Sequence, residues 1–512
     1  MKKYIKYILG AAVLPLFMSS CTGNFEDYNT NPDAPTTLPA EAITKKLFDV
    51  LASPEENPCQ RNNTFWACFG GYVTTPNDWG KGDQLFQYYN CTIDDWVNWS
   101  HNYYYGFYSN IFKIESLTGK QGPVYNLAQI LKVFAMQIIV NTEGPMAYSK
   151  MKPGALTVEY DDERTAYMAM FADLDAAILG LDGIGKLPSM VGIDPVYDGD
   201  MDKWVKFGNA LKLRMAIRIS SVEPEFAHTK ALEAVKNTMD SDNDTAWDHL
   251  LSYNNGFHTI QGWGEVRPNA TITSYMSGYE DPRCPVYFTK AIKGGSEFGY
   301  VGVRSGILGI SAGTSEYVNG AQVRASKMNV TNKTPMLIFS AAEVAFLKAE
   351  AALLGWSDVA PMGAEAYYKE GIRLSFAERG VSGAEEYSES MNKPADFEDL
   401  LDAKYNYNIK SKPTVKWAND GKELERVIIQ KWIANYPLGG EAWNDYRRTG
   451  FPDIFPAAHN ASTQGVTSAR GQRRIRFSYE EYRTNRQNVM KAVKMLDGGD
   501  KDNVDLWWAK KN

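Results

Sequence analysis

The sequence predicts a mostly α-helical fold, with tetratricopeptide-like helix pairs as a scaffold, loop-rich insertions and a few short strands. Three observations carry this. First, residues 339–376 read as two helices folded back on each other. Val344, Leu347, Ala351 and Leu354 recur at helical spacing, Gly355 stops the first helix, Pro361 opens the second, and Ala364, Tyr368 and Gly371 continue the pattern. Ala345, Ala349, Ala352, Ala364 and Gly371 are small enough for the two backbones to approach closely. Such a hairpin cannot bury its apolar faces alone, so other pairs must stack on it. The plainer alternative is an ordinary hairpin in an α-rich core. Second, the 3.6-residue period returns elsewhere, at 125–141, at Glu163–Leu181, at Trp204, Phe207, Leu211 and Met215, and at Leu424, Val427, Ile428 and Trp432. Third, the period fades at about 60–108 and 252–335, where aromatics and glycines take over.

In chain order, the first segment is a targeting signal. Lys2, Lys3 and Lys6 precede an apolar stretch at 8–18 that is too short to span a bilayer and is broken by Pro15. Ser19 and Ser20 then lead into Cys21. Residues 1–20 resemble a bacterial lipoprotein signal peptide, with Cys21 as the lipidated residue; an ordinary secretory peptide with an incidental Cys21 is the alternative. Residues 21–39, rich in Asn and Pro, form an extended tether. A helix begins near Ala40, and 40–512 read as a single domain. No later stretch reaches about 18 consecutive apolar residues. The net charge of −7 over 512 residues gives no basic surface for nucleic acid. Cys59, Cys68, Cys91 and Cys284 match no metal or redox spacing; a Cys59–Cys68 bridge and buried free thiols both remain open.

Between 65 and 108, fifteen of 44 residues are Phe, Trp or Tyr, against 13% overall. Trp66 and Phe69 fit a core face, and Trp96, Trp99, Tyr103 and Tyr104 return to helical spacing. Trp79 differs, because it sits in a Pro76-Asn77-Asp78-Trp79-Gly80 turn, at a loop tip. An aromatic plate flanked by Asp78 and Asn77 suits a sugar ring, which packs its C–H groups on the ring face and offers hydroxyls to the polar neighbours. Trp79, Asp78 and Trp96 are therefore ligand candidates, although most rings here are core anchors.

Asp200 caps the helix that carries Trp204, with Lys212 and Arg214 off its apolar face. The run Asp194–Asp202 lacks the spacing and final glutamate of a calcium loop, and after Asp240–Asp244 Thr245 stands where the loop needs glycine and Leu251 where it needs glutamate. No metal or cofactor site is assigned. In 252–335, Trp263 lies between two glycines and is expected to be exposed, with Arg267 and Tyr279 as nearby polar ligand candidates and Arg283 as a structural ion-pair partner. A short helix is expected at 395–401. Arg447 and Arg448 cap helix carbonyls and pair with carboxylates, and Asp505-Leu506-Trp507-Trp508 forms an apolar strap on the body.

Several stretches together resemble the SusD/RagB family of Bacteroidetes surface lipoproteins. They are Tyr28-Asn29-Thr30-Asn31-Pro32, the run from Tyr197 to Ile219, Ala342 to Ala352, Ile428-Ile429-Gln430-Lys431-Trp432 running into Glu441-Ala442-Trp443-Asn444-Asp445-Tyr446-Arg447-Arg448-Thr449-Gly450, Arg476 to Asn488, and Leu506-Trp507-Trp508. Glu26 and Asp27 resemble the acidic surface-export signal of such lipoproteins. The resemblance implies a scaffold of four tetratricopeptide-like pairs, an outer-membrane location, and a SusC-like TonB-dependent transporter as partner. It also implies capture of glycans, or of peptides in some branches. It carries over no ligand residues. No hydrolase, nucleotide-binding or metalloenzyme motif is present, so a binding protein is favoured over an enzyme. A helical scaffold that only holds other proteins is the third class, and it has no need of exposed indoles.

Overall fold

Helix pairs appear wherever the 3.6 period is strong, because each amphipathic helix must cover its apolar stripe. The computed structural model describes residues 38–53, 58–91 and 97–510, together with the backbone but not the side chain of Trp99. The signal peptide, Cys21, nearly all of the tether and Trp96 lie outside the described residues.

Ala40–Ala52 packs on Phe107–Thr118 and on Pro123–Glu143. Pro123–Glu143 pairs with Glu163–Leu181, which Asp162 caps by accepting the Thr165 N–H at 2.8 Å. Met201–Ile219 pairs with Pro224–Ala234, and Asp200 caps it through Lys203 N–H, as its position implies. Pro123–Glu143 is long and apolar enough to cross a membrane, yet it is largely buried inside the helical body.

The central hairpin is Ala341–Leu353 against Ala364–Glu378. A Cβ at Gly371 would lie 2.7 Å from the Phe346 ring, so the close approach read from the small residues is real. Two details differ. The second helix opens on Gly363, leaving Pro361 in the preceding turn, and Leu354 is exposed because the first helix ends before it.

Buried charges tie the helices together. Arg214 donates from Nε and Nη2 to the two Glu343 oxygens at 2.7 Å each, and Asn435 Nδ2 donates to Glu343 at 2.9 Å. Lys431 sits between Glu350 and Asp445 at 3.4 and 3.0 Å, and Arg448 pairs with the same two carboxylates. Arg447 donates to the Arg473 and Asn141 carbonyls and lies over the Trp443 ring. The arginine pair thus has the structural role expected. So does Arg283, which pairs with Asp281 at 2.6 Å in full burial. Lys212 and Arg214, expected off the apolar face, are buried too, neutralised by Asp175 and Glu343. Leu506 and Trp508 are fully buried, so the C-terminal strap is seated.

The insertions hold more regular structure than their composition indicates. Residues 252–335 contain the short helices Gly256–Gly262, Ala270–Gly278, Cys284–Tyr287 and Glu316–Asn319. They also contain a small antiparallel sheet in which Ala291–Lys293 lies between Ser296–Phe298 and Val323–Arg324. No helix forms at 395–401. Phe397 instead pairs with Tyr407 in an antiparallel bridge, and the nearest helical turn is the short 3-10 turn Ala403–Tyr405. The four cysteines in the described residues are free and buried.

Candidate functional site

Two loops distant in sequence meet because short strands stitch the insertions together. Val73 pairs with Pro268 and Thr74 with Arg267 in an antiparallel ribbon. This register places the loop after Thr74 beside the turn that follows Gly256–Gly262.

In the first loop, Asn77 Oδ1 accepts the Trp79 N–H and Asp78 Oδ1 accepts the Gly80 N–H, each at 3.0 Å. These Asx turns hold Trp79 at φ +45°, a left-handed conformation that is strained for a bulky side chain. The indole is half-buried. Its Nε1–H donates to Glu265 Oε1 at 3.0 Å, across 186 residues of sequence, and Gln60 donates to the other Glu265 oxygen. Burial raises the Glu265 pKa, opposed by the hydrogen bonds from Trp79 and Gln60. Trp79 is thus an oriented plate. Asp78 shapes the turn with one carboxylate oxygen and is half-buried.

In the second loop, Trp263 caps Gly256–Gly262, its N–H donating to Thr259 O at 3.1 Å, and its indole is 47% exposed. Gly264 follows at φ +83°, and a Cβ there would meet Val318 at 2.9 Å, so only glycine fits the turn that presents the indole. The exposure expected of Trp263 is present.

Two polar candidates take other roles. Arg267 is 1% exposed: its Nη1 donates to Val266 and Gln261 carbonyls at 2.7 and 3.3 Å and its Nη2 to Val318 O at 3.4 Å. Tyr279 is 2% exposed, with its hydroxyl on Pro413 O at 3.1 Å. Both are held inside by backbone carbonyls and present no surface to a ligand. Sequence reasoning missed Glu265 and Gln60, whose roles come from long-range packing.

A cavity of about 230 Å³ lies elsewhere, between the helical body and the insertion, lined by Trp66, Tyr104, Trp247, Tyr287 and Leu438 among others. Several of its polar groups are engaged, Asn63 donating to Ala52 O, Asn255 to Thr334 O, Arg214 to Glu343 and Arg379 to Tyr436 O, while Trp66 Nε1, Arg379 Nε and Tyr436 OH have no hydrogen-bond partner. Neither Trp79 nor Trp263 lines it. Trp79 and Trp263 offer a stacking plate instead, which needs no enclosure. Among the described residues no cluster of His, Cys, Asp and Glu could hold a metal ion.

The family model "SusD-like: Susd and RagB outer membrane lipoprotein" matches residues 40–509. A search of curated proteins returned no match. Among solved structures, a SusD-like protein from Bacteroides thetaiotaomicron is 42% identical, with TM-score 0.87 over 93% of this chain and 99% of its own. A SusD homologue from Bacteroides ovatus is 34% identical, with TM-score 0.86 over 92% and 99%. A chitin-binding SusD homologue from Flavobacterium johnsoniae is 31% identical, with TM-score 0.85 over 92% and 99%. With a family match along nearly all of the helical body and relatives superposing over their whole lengths, the chain belongs to the SusD/RagB family of outer-membrane lipoproteins.

Proposed function

We propose that this protein captures an oligosaccharide at the cell surface, anchored in the outer membrane through lipid on Cys21, and delivers it to a SusC-like TonB-dependent transporter. The observation that carries the reading is the pair of tryptophans on adjoining loops, Trp263 exposed and Trp79 held by Glu265. Stacking buries the apolar face of a sugar while its hydroxyls stay hydrated or meet side chains such as Asp78. The chitin-binding relative supports a glycan ligand. The mechanism is binding without chemistry. A shallow plate gives modest affinity, on the order of 10 µM to 1 mM, which favours release to a transporter.

Calorimetric titration of the purified protein against neutral and acidic polysaccharides and a peptide digest tests this. Saturable binding to one glycan class is expected. Binding to peptides alone would move the protein to peptide capture.

A further inference from the structure

Behind Trp263 the chain gathers positive charge with nothing to neutralise it. Arg267 carries its guanidinium 1% exposed, held only by carbonyl oxygens, and its Nε has no hydrogen-bond partner. Arg324, half-buried, stands on the strand Val323–Arg324, opposite Ile292. Lys327, also half-buried, follows three residues on, its backbone N–H on Thr289 Oγ1 at 3.2 Å. The neighbouring Met328 ties this segment to the Trp263 turn: Gln261 Oε1 accepts the Met328 N–H at 2.6 Å, and Gln261 Nε2 donates to Met328 O at 3.0 Å.

Arg267 and Lys327 both feel neighbouring positive charge. Burial and then the Arg324 charge pull Arg267 down to about 10. Burial, then Arg267 and Arg324, also lower the Lys327 pKa. No carboxylate offsets them. Among the described residues none of the three forms an ion pair, and the nearby Glu265 is occupied by Trp79 and Gln60. Elsewhere in this acidic protein the buried Arg214, Arg283 and Arg474 are each matched by a carboxylate, while Arg447, like Arg267, is held by neutral oxygens. An unmatched cluster is costly to bury and becomes favourable when an anion completes it.

We propose that Arg324 and Lys327, backed by the buried charge of Arg267, form an anion subsite beside Trp263, so that the captured glycan is acidic, bearing a uronate carboxylate or a sulfate ester. This rests on the glycan reading above and narrows its substrate class. Arg324 and Lys327 make the contacts, and Arg267 acts only through its field.

The test uses the full chain in detergent, titrated with polygalacturonate, chondroitin sulfate, desulfated chondroitin and carboxyl-reduced polygalacturonate. Binding to at least one acidic polymer is expected, weakening about ten-fold or more as NaCl rises from ~50 to ~500 mM. Arg324→Gln with Lys327→Gln should weaken it by about ten-fold or more while leaving the melting temperature unchanged, since both side chains are partly exposed. Loss on carboxyl reduction marks a uronate, and loss on desulfation marks a sulfate. Equal affinity for an acidic polymer and its neutral counterpart, an unaffected double variant, or no binding to either acidic polymer would overturn the anion subsite. If a neutral glycan still binds and Trp263→Ala abolishes it, the subsite fails while the glycan reading stands. If neither charged nor neutral glycans bind, both fail.

Discussion

Replacing Glu343 by Gln is expected to cost the fold about 3 kcal/mol, because it strips the counterion from a guanidinium with no access to water. Arg214 is 2% exposed and Glu343 is fully buried, joined by two bonds of 2.7 Å. The pair links Met201–Ile219 to the central hairpin, and Asn435 adds a third helix. Breaking one side of such a pair costs about 3–5 kcal/mol. The lower end applies here, because Glu441 lies 3.5 Å from Arg214 Nε and retains part of the compensation. With an unfolding entropy of about 2 cal/mol/K per residue, a body of this size has roughly 1 kcal/mol/K, so the melting temperature should fall by about 3 °C. Differential scanning calorimetry at neutral pH reads this directly. Replacing both partners, Arg214→Met with Glu343→Met, should recover most of the loss, because no charge is then left stranded. A single variant that melts with the wild type, or a double variant worse than the single, would refute the reasoning.

Other consequences are equally accessible. Gly371→Ala puts a methyl against the Phe346 ring at 2.7 Å and should cost about 1–3 kcal/mol, read as a lower denaturation midpoint; an unchanged midpoint would mean the hairpin yields there. His101 is buried, with Nδ1 3.0 Å from Glu143 and Nε2 3.6 Å from Glu481. Burial pulls its pKa down, but the two carboxylates outweigh that and raise it to about 10, while Glu481 falls to about 2. Since the folded histidine pKa is raised, its stabilisation is complete below about 6.5 and is lost as pH climbs towards 10. Glu481 acts in the opposite window, losing its contribution as pH falls from 4.5 towards 2. Melting temperatures of wild type and His101→Gln should therefore converge between pH 7 and pH 10, and parallel curves would exclude the linkage. Cys21→Ala should release the protein from the membrane fraction, and unchanged fractionation would remove the lipid anchor.

Local signals in the sequence were readable, and distant ones were not. Glu163–Leu181 carries its cap at Asp162 and its full apolar stripe within one segment, so its bounds could be read directly. Arg283 could be assigned because its partner Asp281 is two residues away. Residues 395–401 were misread because Phe397 finds its partner at Tyr407, outside any helical window. At the site, the exposure of Trp263 followed from its flanking glycines, whereas the burial of Arg267 and Tyr279 depends on Val318 and Pro413, supplied by segments far along the chain. Glu265 and Gln60 show no motif at all; the Val73–Pro268 pairing brings Glu265 to Trp79, and the packing of Cys59–Asn63 on Gly256–Gly262 brings Gln60.

The central claim is that the tryptophans on the two adjoining loops hold the ligand, and titrating wild type, Trp263→Ala and Trp79→Ala with the glycan that binds tests it most directly. One sugar face on an indole removes on the order of 100 Å² from water, about 2 kcal/mol or roughly 30-fold in Kd. Each variant should lose about that much. Trp263→Ala should fold normally because its indole is half in solvent, and Trp79→Ala should show whether the Glu265-held ring contributes equally. Wild-type affinity in both variants would contradict the account and place the ligand elsewhere on the protein.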